Sequence, residues 1–238
     1  KKELTVDQKN VVDSVNFSHD VYLLHGVTGS GKTEVYMELI DKVLVNGKTS
    51  IVLVPEISLT PQMVLRFQKR FGDNIAAIHS ALSEGEKYDE YRKISKEEVD
   101  IVIGARSAVF APLRNIGTII VDEEHSTTYK QENHPRYSAL DVALFRGKYH
   151  NAPVVMGSAT PSLESYTRAQ MGIYELLEMN NRINNNLPSV YLVDMKDEIR
   201  AAHPVLSRLL IEKIEDRISK GEQVMLLLNR RGYSTSIS

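Results

Sequence analysis

The chain has 238 residues, 42% hydrophobic and 25% charged, enough to bury a substantial core in one large domain, or in one domain and part of another. No apolar run approaches the roughly 20 residues that span a bilayer, and no apolar secretory segment follows the opening Lys-Lys-Glu; a cytoplasmic protein without membrane contact is expected. A net charge of −2 restricts any nucleic-acid contact to a local basic patch, and the absence of cysteine excludes disulfides and thiolate metal sites within the chain.

The first short apolar run, residues 21–24, leads directly into Gly26-Val27-Thr28-Gly29-Ser30-Gly31-Lys32-Thr33, a Gly-x-x-x-x-Gly-Lys-Thr phosphate cradle. Glycines at 26, 29 and 31 let the backbone turn tightly enough for consecutive N–H groups to point at phosphate oxygens. Lys32 supplies a point charge and Thr33 a hydroxyl for Mg²⁺. The periodic apolar residues Val35, Leu39, Ile40 and Val43 predict a helix whose positive N-terminus faces the anion. Strand, loop and helix stand in the order a nucleoside triphosphate site needs.

Further β-branched runs follow at 51–54, 75–78, 101–103, 119–121 and 154–156, alternating with helical patterns such as 60–71 and 138–149. Nearly continuous hydrophobicity suits strands covered on both faces, so the fold class is α/β with a mostly parallel, doubly wound sheet. Ligands of such sheets bind at the carboxyl ends of strands. Asp122-Glu123-Glu124-His125 sits at one such end. Asp122 is placed to share the Mg²⁺ with Thr33 through water, and Glu123 to orient and deprotonate an attacking water. Alone, this tetrapeptide also reads as a charged turn; beside a phosphate cradle it completes a phosphoryl-transfer site. After the acidic tetrapeptide, the loop 129–137 interleaves Tyr129, Lys130, His134, Arg136 and Tyr137, a pattern that suits stacking on unpaired bases and pairing with phosphates, or else a surface loop with scattered tyrosines. Gly157-Ser158-Ala159-Thr160-Pro161 offers hydroxyls that sense a γ-phosphate, or a plain turn with Thr160 or Ser162 as a helix cap.

Polar turn formers cluster at 180–188 and predict a linker. Beyond it a strand is expected at 190–193, a helix at 205–218 and a strand at 224–228, too little for a full α/β layer. The expected organisation is a first domain over 1–180, a linker over 181–189, and the truncated start of a second domain over 190–238.

Gln8 upstream of the cradle, Asp-Glu-Glu-His at 122–125 and Ser-Ala-Thr at 158–160 resemble the superfamily 2 helicases. The longer stretches 53–62, 103–112, 129–137 and 228–233 resemble the primosomal replication-restart branch of that superfamily. The resemblance implies that 1–180 is the first RecA-like motor lobe and 190–238 the opening of the second. It implies an ATP-dependent DNA helicase that restarts stalled forks and loads the primosome, moving three-prime to five-prime on single-stranded DNA in the bacterial cytoplasm and nucleoid. It implies that Gln8 reads the adenine, that Lys32, Asp122 and Glu123 do the chemistry with ATP and Mg²⁺, and that His125, Ser158 and Thr160 couple hydrolysis to movement. Arg106, Ser107, Tyr129, Lys130, Arg136 and Tyr137 would face single-stranded and forked DNA, with primosome and single-strand-binding proteins as partners. Complete members carry an N-terminal DNA-binding region, zinc-binding cysteine pairs and an arginine finger, none found in this sequence, so zinc is expected in the complete protein only. Hydrolysis by this chain alone should then be very slow, since an arginine finger supplies a factor of about 10³–10⁵. The alternatives are another superfamily 2 translocase or fork-reversal helicase, and a non-catalytic DNA or replisome docking module.

Overall fold

The computed structural model describes residues 3–16, 20–183, 189–196 and 206–227. The chain runs α1 (Val6–Ser14), β1 (Val21–Gly26), α2 (Lys32–Val45), β2 (Thr49–Leu53), α3 (Pro61–Phe71), β3 (Ile75–Ile78), α4 (Glu84–Ser95), β4 (Ile101–Gly104), β5 (Ile116–Asp122), β6 (Lys130–Gln131), β7 (Tyr137–Ser138), α5 (Ala139–His150), β8 (Val154–Ser158), α6 (Leu163–Gln170), β9 (Glu175–Met179) and α7 (Arg208–Ser219). All six apolar runs are strands. With β9 they form a seven-stranded parallel sheet in the order β3-β4-β2-β5-β8-β1-β9, while β6 and β7 pair antiparallel as a small hairpin.

The runs lack polar alternation because both faces are covered. Leu23, Leu53, Val102, Val121 and Met156 point to a core closed by residues such as Ile94 of α4, Ala139 and Ala143 of α5 and Ala169 of α6. The alternate residues Tyr22, Leu24, Val52, Ile103, Ile120 and Val155 meet Val11 and Val12 of α1, Val35 and Leu39 of α2 and Phe67 of α3. Two hydrophobic layers therefore clamp the sheet, and each strand contributes to both. Short polar caps start the helices where the sequence changes character. Thr60 accepts from Met63 N ahead of Pro61 at the start of α3, and Ser83 with Glu86 closes a capping box on α4.

Among the described residues no helix is long and apolar enough to cross a membrane. Contacts divide the chain into two compact units, Lys1–Asn185 and Asn186–Ser238. In the second, α7 begins at Arg208 behind the cap Ser207; the expected start at 205 lies outside the described residues. The strands expected at 190–193 and 224–228 do not form: residues 190–193 and 222–227 carry no strand, and residue 228 is outside the described set. Leu192, Met225 and Leu227 are almost fully exposed. β-branched and aliphatic residues become a strand only with a neighbouring strand to bond, and among the described residues none pairs with them. The stretch 228–233 and residues 184–188 of the expected linker also lie outside the described residues.

Candidate functional site

Strands β5, β8 and β1 are adjacent in the sheet, so the three loops that leave their carboxyl ends converge. Leu24 of β1 and Asp122 of β5 both stand beside Gly157 of β8 in register. Gly157 has to lack a side chain: a Cβ there would lie 1.7 Å from the hydroxyl of Tyr36, which crosses over it from α2 and donates to Asp122 Oδ1 at 2.8 Å. The glycine thus makes room for a bond between the helix behind the phosphate loop and the acidic loop.

In the phosphate loop Gly29 and Gly31 hold φ of +81° and +84°, the left-handed region that side chains disfavour. Gly31 is also the N-cap of α2 and gives it no side-chain cap, so the N–H groups of the first turn remain available to an anion. Lys32 Nζ donates to Gly26 O at 2.9 Å and lies 3.9 Å from Glu123 Oε1. Thr28, Gly29, Gly31, Lys32, Thr33, Arg66, Asp122 and Glu123 line a cavity of about 250 Å³. Val27 and Ser30 complete the turn through a Ser30 N–H to Val27 O bond of 3.0 Å. Among the described residues no group of three or more His, Cys, Asp and Glu side chains gathers as a metal cage. The hydroxyl of Thr33 with the carboxylate of Asp122 fits Mg²⁺, which takes few protein oxygens and completes its shell with water and phosphate oxygens.

Asp122 is largely buried, and that burial raises its pKa; the neighbouring Glu123 adds to the rise, while the Tyr36 hydroxyl and Lys32 oppose it. Burial, then Asp122, pushes the Tyr36 hydroxyl well above the usual phenol range, so it stays a donor. Glu123 adopts φ +45°, a strained backbone for a residue with a side chain. Its neighbour Glu124 turns the other way, is 3% exposed, and accepts from Ser162 N (2.6 Å), Ser162 Oγ (3.0 Å) and Ser165 Oγ (2.9 Å) at the start of α6. His125 Nδ1 and Ser158 Oγ are 2.7 Å apart, and Ser158 Oγ accepts from Thr160 N at 3.0 Å. The acidic loop and the Ser-Ala-Thr turn are therefore bonded to each other through His125, and Ser162, not Thr160, caps α6.

Gln8 is buried under the phosphate loop. Its Nε2 donates to Ser30 O (3.0 Å) and Gly31 O (3.4 Å), and its Oε1 accepts from Thr5 N (2.9 Å) in the capping box of α1. Both ends of the amide hold the loop and the helix in fixed relation.

At the carboxyl ends of β3 and β4 a second hollow of about 550 Å³ is lined by Glu56, Arg106, Ser107, Thr128, Gln131 and Tyr137, among others. Arg106 donates to Thr128 O (3.2 Å) and Lys130 O (2.8 Å), and its guanidinium lies 5.8 Å from the centre of the Tyr137 ring. Phe110 meets the same ring edge-on at 5.0 Å. Lys130 and Arg136 are exposed, with Arg136 Nε donating to Glu132 O at 3.0 Å. Tyr129 departs from expectation. Its ring is 1% exposed within the core, and its hydroxyl donates to Asp122 O at 2.6 Å, so it has no face to offer a base. The sequence pattern of alternating aromatic and basic residues concealed this, because the 3₁₀ turn Thr127–Tyr129 carries Tyr129 inward while Tyr137 stays on the rim.

Sequence reasoning missed three residues. Tyr36 lies buried in α2, and nothing in its local sequence signals the bond to Asp122. Glu124 was taken with the acidic turn, although the serines at 162 and 165 ahead of a helix were a visible signal of its role. Arg66 reaches the phosphate cavity from α3, held by Glu34 Oε1 at 2.5 Å, and nothing in its local sequence announces that.

The DEAD/DEAH box helicase family matches residues 5–169. The chain is 60% identical over 221 residues to the replication restart protein PriA of Bacillus subtilis, covering 92% of this chain and 28% of the relative's length. It is 46% identical over 220 residues to the replication restart protein PriA of Chlamydia trachomatis, covering 91% of this chain and 29% of that protein. It therefore spans under a third of the length of either relative. The structure of RecG bound to a three-way DNA junction superposes with a TM-score of 0.62 at 20% identity, covering 93% of this chain and 28% of that one. With the family matched over well more than half of its length, the chain belongs to the DEAD/DEAH box helicases.

Proposed function

We propose that this chain is the ATP-binding lobe of a DNA helicase that acts in replication restart and primosome assembly at stalled forks, on chromosomal DNA in the bacterial cytoplasm. The observation that carries the reading is the cavity where Lys32, Thr33, Asp122 and Glu123 meet at the ends of adjacent strands. The identity to proteins named for replication restart supports the biological assignment. Lobe 1 is taken as 1–180, the linker as 181–189, and 190–238 as the start of the second lobe.

In this reading the backbone of Gly26, Val27, Thr28, Gly29, Ser30 and Gly31 cradles the phosphates, and Lys32 neutralises the charge that builds on them. ATP with Mg²⁺ supplies the transferable phosphoryl group; Thr33 and Asp122 hold the ion. Glu123, whose carboxylate lines the cavity 3.9 Å from Lys32 Nζ, accepts the proton of the attacking water. Gln8 is expected from the resemblance to read the adenine; its amide is bonded to Ser30 O, Gly31 O and Thr5 N, and in this reading it acts on the nucleotide by fixing the loop beside the adenine. His125, Ser158 and Thr160 pass the state of the acidic loop to the Ser-Ala-Thr turn. Arg106, Ser107, Lys130, Arg136 and Tyr137 form the face for single-stranded and forked DNA, with primosome and single-strand-binding proteins as further partners. The test is single-turnover hydrolysis of ATP with Mg²⁺ by the full-length protein, with and without single-stranded DNA, beside Glu123→Gln. DNA-stimulated hydrolysis that the variant loses, with nucleotide binding retained, supports the reading; DNA-independent turnover equal in both proteins removes it.

A further inference from the structure

Two backbone bonds tie the phosphate loop to the end of β9 and to the segment that follows it. Val27 N–H donates to Met179 O at 3.1 Å, and Ile183 N–H donates back to Gly29 O at 3.0 Å. Asn181 Nδ2 donates to Asp7 Oδ2 at 2.8 Å, which fastens the same segment to the first turn of α1. Ile183 also lies over Gly31, so close that a Cβ on the glycine would meet Ile183 Cδ1 at 2.9 Å. The result is a cavity of about 230 Å³ lined by Thr5, Val6, Asp7, Asn181, Arg182 and Ile183. The phosphate cavity is lined by Gly29 and Gly31, the two glycines that Ile183 touches from the other hollow, so the two adjoin across the phosphate loop.

We propose that residues 181–183 form the outer wall of the base subsite of the nucleotide, and that Arg182 stacks its guanidinium on a purine ring. The proposal rests on the nucleotide reading above and extends it to residues outside every motif of the sequence. A triphosphate bound to Lys32 leaves its nucleoside to be housed next to the loop, and this hollow has suitable chemistry. Val6 and Ile183 present exposed apolar side chains, 75% and 55% accessible, that a ring face can cover. Arg182 is exposed and has no ion-pair partner among the described residues, so its planar cation is available for stacking. Beyond the bond between them, Asp7 Oδ1 and the second N–H of the Asn181 amide supply an acceptor and a donor for the base edge.

The experiment is calorimetric titration of the wild-type chain, Arg182→Ala and Lys32→Ala with ATP and, separately, with inorganic tripolyphosphate, both with Mg²⁺. Arg182→Ala should weaken ATP binding by about two- to fivefold and leave tripolyphosphate unchanged, since only ATP has a base. Equal loss of both ligands, or no change in either, overturns the base-wall assignment. Lys32→Ala should lose both ligands; retention of both by Lys32→Ala, or failure of wild type to bind either, refutes the underlying nucleotide reading instead.

Discussion

Tyr129 separates two accounts of the loop that follows the acidic motif. If it stacks on DNA, Tyr129→Phe should be harmless, because the ring remains, and Tyr129→Ala should lower DNA affinity by about 1–3 kcal/mol per base with little effect on stability. Its placement in the core predicts the reverse. Tyr129→Phe removes a buried hydroxyl from Asp122 O, where it donates at 2.6 Å. Such a loss costs about 1–2 kcal/mol, or a fall in Tm of about 2–8 °C for a chain of this size. Tyr129→Ala also empties a site that is 1% exposed, at a cost of about 3–5 kcal/mol by analogy with aromatic core truncations. Thermal unfolding followed by circular dichroism reads both values, and fluorescence anisotropy with labelled single-stranded DNA, at a temperature where the variants remain folded, reads affinity. A Tyr129→Phe variant with unchanged Tm, together with a stable Tyr129→Ala variant that binds DNA weakly, would refute the core placement.

Asp122→Asn should stabilise the fold while abolishing Mg²⁺-dependent hydrolysis. Burial raises the pKa of Asp122 above the ordinary carboxylate value, so in the window between those two values the native chain binds the proton more tightly than the unfolded chain. Stability from this group is present at low pH and is lost as pH rises through the window. The Tm difference between Asp122→Asn and wild type should therefore grow with pH across it and then level off; a difference that shrinks over that range contradicts the sign. Glu124→Ala strands the donors of Ser162 and Ser165 at the start of α6 and should cost about 2–4 kcal/mol in urea unfolding, with Glu124→Gln recovering part of it. Equal stability of Glu124→Ala and wild type would mean that the three bonds of this carboxylate contribute nothing.

The parallel sheet was legible because strands covered on both faces read as unbroken apolar runs, and six of the seven strands announced themselves in that way. The seventh, β9, sits at an edge, where Glu175 and Glu178 face outward and break the run. Helix α1 was signalled by its capping box, Thr5 with Gln8, but the glutamine drew attention only as a motif residue. Helix α4 buries little beyond Ile94 and carries almost no apolar period. Phosphate loop and acidic loop were visible because their chemistry is local and strand ends place them. The bond from Tyr36 to Asp122 was not, since it joins residues 86 apart and depends on the absent side chain of Gly157. The expected strands at 190–193 and 224–228 had the right composition, but pairing partners rather than propensity decide whether such residues become strands.

The central claim is that the hollow between Gly26–Thr33 and the acidic loop binds ATP. Equilibrium titration of a fluorescent ATP analogue with Mg²⁺ against wild type, Lys32→Ala and Glu123→Gln tests it most directly. The account predicts binding by wild type and Glu123→Gln and loss of binding in Lys32→Ala, because Lys32 serves the phosphates and Glu123 the attacking water. Undiminished binding by Lys32→Ala would contradict it.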